Sequence, residues 1–95
     1  MYHKTFDLGT VQRETVVTVR LNAMANVRLL TEVNYTAYRR KQFYRMHGGV
    51  ATAPLFKISV PSTAHWYLVL DVEGLEPRPL HPQVTIGQLT RQIRR

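Results

Sequence analysis

Period-two alternation governs the chain from Glu14 to Val72 and leaves little room for anything but a sheet protein. Glu14 to Asn22 puts Val17, Val19 and Leu21 on one face, and Thr18, Arg20 and Asn22 on the other. Asn26 to Leu30 sets Val27 and Leu29 against Asn26 and Arg28. Leu55 to Val60, bracketed by Pro54 and Pro61, turns Phe56, Ile58 and Val60 inward and Leu55, Lys57 and Ser59 outward. His65 to Val72 is the most apolar stretch. Trp66, Leu68, Leu70 and Val72 share one of its faces and His65, Tyr67, Val69 and Asp71 the other. A strand apolar on both faces belongs at the centre of its sheet.

Turn signals fall between these runs. Gly48-Gly49 is the clearest hairpin signal, because two glycines accept the positive φ values of a primed turn. Asn34 to Tyr44, rich in tyrosine and arginine, reads as strand with a turn near Lys41-Gln42. Pro77, Pro79 and Pro82 make 76–82 irregular, and Gln83 to Ile86 reads as the last strand. The prediction is an all-β fold, a small antiparallel β-sandwich of jelly-roll type, with about seven or eight short strands. Residues 1–86 form the single domain with negligible helix, and 87–95 form a basic tail in which Leu89 and Ile93 stand at helical spacing. The expected core is Trp66 and Phe56 with Val17, Val19, Leu68 and Leu70.

At 95 residues the interior is thin, with little room for a deep pocket or a large cofactor. The chain has no cysteine, which excludes disulfides, thiolate metal sites and a cysteine nucleophile. That absence, with no signal-peptide core and no membrane-spanning stretch, leads to the expectation of a cytoplasmic protein without a membrane partner. Two exposed sheet edges leave a homodimer open.

Lysine and arginine number 13 against 6 acidic residues, a formal charge of +7, and ten of the thirteen cations are arginine. Arginine offers a planar fork suited to phosphate or carboxylate. Four of the cations fall in one basic-aromatic run. Arg39, Arg40, Lys41, Tyr44, Arg45 and His47 are its candidate ligand-binding residues; Phe43 also lies in the run, with Tyr35 and Tyr38 upstream. As a hairpin over 35–47, the run would need a turn or bulge to bring Arg39 and Arg40 to one ligand, with Arg45 joining from the returning strand. Such a hairpin suits an anionic ligand or partner, or nucleic acid through phosphate contacts and base stacking. It equally suits a solvated edge whose charges deter aggregation.

Catalytic and metal readings find less support. His65 and Asp71 share a strand face, but six residues separate them by about 20 Å, too far for a triad with Ser59 or Ser62. His65 is expected to bond a turn backbone group. The histidines at 3, 47, 65 and 81 lack metal-ligand spacing. Neither a cofactor, a metal nor an enzymatic activity is expected.

Several segments in order carry a family resemblance. They are Ala25-Asn26-Val27-Arg28-Leu29-Leu30, Asn34 to Tyr38, Gly48-Gly49, Val60 to Trp66 and Val69 to Leu75. The chain resembles the bacterial family called domain of unknown function 1883 over roughly Tyr2 to Leu75. It departs from the family's Gly-Asp-like turn at Glu14-Thr15. The resemblance implies a small bacterial β-sandwich, alone or joined to a TIR domain, with no catalytic residues to carry over. TIR proteins include many that cleave NAD in defence systems. The resemblance therefore points to a non-enzymatic interaction or ligand-sensing module, with an unknown protein or anionic ligand as partner. Nucleic-acid binding through the basic-aromatic run is the alternative.

Overall fold

A computed structural model describes residues 3–52 and 54–88. The strands are β1 (His3–Val11), β2 (Thr15–Arg20), β3 (Ala25–Thr31), β4 (His47–Ala51), β5 (Leu55–Ser59), β6 (Ala64–Asp71) and β7 (Gln83–Gln88). One helix, α1 (Glu32–Arg39), follows β3 directly. A four-stranded sheet of order β1-β6-β3-β4 faces a three-stranded sheet of order β5-β2-β7, and every pairing is antiparallel. This is the all-β sandwich that the alternation requires.

The inward faces are those expected. Val17, Val19, Val27, Leu29, Trp66, Leu68 and Leu70 lie between the sheets, essentially without exposed surface. The Trp66 indole N–H donates to the Ser62 carbonyl at 2.9 Å, so the largest core side chain buries no unmet donor. β6 is central, between β1 and β3. Phe56 is only half-buried: among the described residues β5 is an edge strand, paired with β2 alone.

Two expectations are overturned. The segment expected as strand up to a turn near Lys41 begins with two turns of helix. Its cause lies on the outer face of the larger sheet, where Leu30 and Val69 are fully buried yet outside the inter-sheet cluster. α1 packs on β3 and β6, with Tyr35 stacked on Tyr67 at 4.1 Å. Tyrosines at 35 and 38 reach that face from successive turns of a helix, whereas a strand would send them to opposite sides. The turn at Lys41 is present.

The second correction concerns Gly48-Gly49, which sits inside β4 opposite Arg28 and Val27 and makes no hairpin turn. Gly48 has φ of +131°, and a Cβ there would run into the Val27 carbonyl oxygen. Glycine is required by the close approach of two strands. β7 runs to Gln88, two residues past the expected strand, and the tail pattern at Leu89 and Ile93 lies outside the described residues. Among the described residues, no helix is long and apolar enough to cross a membrane.

Candidate functional site

The outer face of the larger sheet concentrates the polar chemistry. Asp71 is completely buried and accepts hydrogen bonds from four residues. The Arg28 Nε reaches Oδ2 at 2.7 Å, the Asn26 amide reaches Oδ1 at 2.7 Å, the Glu73 N–H reaches Oδ1 at 3.1 Å, and the Tyr38 hydroxyl reaches Oδ2 at 3.2 Å. Arg28 Nη2 adds a second contact to Oδ1 at 3.2 Å, which makes the pair bidentate. Burial opposes charge on Asp71, but the bonds from Arg28, Asn26 and Glu73 outweigh it and hold the carboxyl below its usual range. Arg28 is raised further above its ordinary value, chiefly by its hydrogen bond to Asp71. The Tyr38 hydroxyl is pushed up to about 12 by burial and then by the Asp71 charge.

Arg28 also reaches outward. Its Nη1 donates to the Tyr44 hydroxyl at 2.9 Å and contacts Met46 Sδ at 3.8 Å, while Nη2 meets Glu73 Oε1 at 3.4 Å. Asn34 completes the frame. Its amide donates to Thr31 Oγ1 and its carbonyl accepts from the Arg45 N–H, both at 2.9 Å. Together these bonds fasten the segment after α1 against the sheet.

A second polar group has a different form. His65 Nε2 lies 2.7 Å from Asp7 Oδ1 and not against a turn backbone group as expected, because the fold pairs β1 with β6. The Gly9 N–H also donates to Asp7 at 2.9 Å across a bulge in β1, and this bond, with His65 second, holds the Asp7 carboxyl below its usual range. The His65 ring stacks on Tyr67, which stacks on Tyr35, and the Arg39 guanidinium lies 5.7 Å from the Tyr35 centroid. Among the described residues no three His, Asp or Glu side chains converge on a metal position.

The candidate residues divide between helix end and following segment. Arg39 closes α1, and Arg40 is its C-cap. Lys41 has φ of 60°, its N–H bonds to the Tyr38 carbonyl and that of Gln42 to the Ala37 carbonyl. This is a Schellman ending with lysine in the position usually given to glycine. Cations here complement the negative end of the helix dipole. No hairpin brings Arg39 and Arg40 together, so that expectation is corrected. The helix end does so instead, and a shallow depression is lined by Thr36, Arg39 and Arg40.

Beyond the turn, exposure alternates: Phe43 and Arg45 face solvent while Tyr44 and Met46 are half-buried. Tyr44 is thus part of the Arg28 network, and Arg45 is no cross-strand neighbour of the helix arginines. His47 opens β4, its ring set edge-on to Trp66 at 5.8 Å, apart from the helix end. Arg39, Arg40, Lys41 and Arg45 are exposed and have no acidic partner within salt-bridge distance among the described residues. Phe43, although within the run, was not among the six candidates, and it is 87% exposed.

The family model for a domain of unknown function, DUF1883, matches residues 1–84. The chain belongs to the DUF1883 family. No curated protein and no solved structure matches it. The DUF1883 match spans β1 through β6 and enters β7, so both polar networks and the cation-rich segment lie within the family domain.

Proposed function

We propose that this DUF1883 domain is a non-enzymatic interaction module that docks an anionic partner on the surface formed by the end of α1 and the segment after it. The observation that carries this reading is four exposed cations, Arg39, Arg40, Lys41 and Arg45, without an acidic partner among the described residues. Asp71 and Glu73 are paired with Arg28, and Asp7 with His65. Neither network supports a catalytic reading, because among the described residues no serine or threonine bonds to His65, and Asp71 has its oxygens filled by donors.

The test is an Arg39→Ala/Arg40→Ala/Arg45→Ala variant followed by heparin chromatography and thermal melting. The expected result is elution at clearly lower salt with a melting temperature within a few degrees of wild type, since exposed charges contribute at most about 1 kcal/mol each to stability. Unchanged elution would mean that this surface takes no part in polyanion binding, and an equal fall in an Arg13→Ala/Arg20→Ala/Arg78→Ala control, exposed arginines outside the surface, would mean that net charge alone governs it.

A further inference from the structure

Phe43 gives the surface a feature that charge attraction alone does not require. It is 87% exposed, and its neighbours in sequence are fixed. Tyr44 and Met46 are held by Arg28, the Arg45 N–H bonds to Asn34, and the Lys41 turn closes the helix just before it. In extended backbone alternate side chains point the same way about 6–7 Å apart, and the exposure of Phe43 and Arg45 follows that pattern. A flat ring therefore stands beside an arginine fork, with three further cations at the helix end.

We infer that the anionic partner is a single-stranded nucleic acid, with Phe43 as a base-stacking platform and Arg39, Arg40, Lys41 and Arg45 meeting its phosphates. The inference rests on the anionic surface proposed above. Three features favour this class. Phosphates recur at every nucleotide and suit arginine forks, and each base offers a π face to a single ring. A bilayer contact needs an apolar strip, whereas the exposed residues next to Phe43 in sequence are Arg39, Arg40, Lys41, Gln42 and Arg45, and the exposed Val33 lies at the opposite end of α1. A protein contact would seat the ring within a larger desolvated patch, and the same polar surroundings provide none.

The experiment is fluorescence anisotropy with a labelled oligothymidylate over a salt series, beside heparin chromatography and phosphatidylserine vesicle sedimentation. Wild type is expected to bind the oligonucleotide with a log–log salt slope of about −3, for four phosphates at about −0.7 each. Phe43→Leu keeps the apolarity and removes the ring. It should weaken binding by roughly 5- to 150-fold with the slope unchanged, the range expected for loss of one stacked base. Arg45→Ala should make the slope shallower by about 0.7. The inference is overturned if Phe43→Leu binds as tightly as wild type, or if wild type binds vesicles and not the oligonucleotide. Heparin separates the two levels. If the triple arginine variant loses heparin retention while wild type ignores the oligonucleotide, the anionic surface stands and the nucleic-acid inference falls. If heparin retention survives in that variant, both fall.

Discussion

Asp71 is an ion with no contact with water, and its worth depends on what remains when it is altered. Asp71→Asn should cost about 3–5 kcal/mol in urea unfolding, because it strands the Arg28 charge in a largely buried position. An Arg28→Met/Asp71→Leu pair removes both charges together but takes the acceptor from Asn26, Tyr38 and the Glu73 N–H, so it should recover only part of that loss. The folded Asp71 and Asp7 carboxyls both titrate below their unfolded values. Their stabilisation is complete above about pH 4 and is lost as pH falls through the lower folded values. The unfolding midpoint of wild type should therefore drop on acidification below about pH 4, and Asp71→Asn should flatten part of that slope. The sequence held half of this network in view: alternation put Asn26 and Arg28 on the outward face of one strand and Asp71 on that of another. An acid in the most apolar segment was itself a sign that a cation must join it. The pairing of β3 with β6, which makes them neighbours, depends on tertiary topology that no spacing reveals.

Helix α1 shows where local sequence gives way to packing. Eight residues cannot sustain a helix in water, and Val33, Asn34, Tyr35, Thr36 and Tyr38 are all modest helix formers. The signs available were faint: Glu32 in the first turn, Arg39 in the last, and aromatic rings three apart. What decides the conformation is the uncovered outer face above Leu30 and Val69. The left-handed residue at its end offers a direct test. Lys41→Gly relieves the Cβ strain at φ 60° and should stabilise the domain by about 0.5–1 kcal/mol, after the greater freedom of glycine in the unfolded chain. Urea midpoints that fall instead would show that the Lys41 side chain stabilises the turn by more than the strain costs. Gly48 misled for a related reason: glycine pairs mark turns, but here one admits the Val27 carbonyl within a strand.

The sandwich as a whole was written plainly in the alternation, because each inward run had only one way to leave water. Trp66→Ala should cost about 3–5 kcal/mol, out of the 5–15 kcal/mol typical of a domain, and thermal melting should show a large fall. A change of only a few degrees would mean that the cavity collapses or the indole contributes little. Residues rich in period two gave the faces, while the order of the strands came from contacts between distant segments. The placement of β1 has a consequence in time. Among the described residues its only sheet neighbour is β6, so that His3 pairs with Asp71. During synthesis β1 is made before β6, and residues 12–63 must follow before the strand it bonds with begins. Closing so long a loop is entropically slow, and such topologies fold in milliseconds to seconds. In the interval β1 is an unpaired strand, and its Asp7 and Lys4 charges are what it has to discourage pairing with another nascent chain.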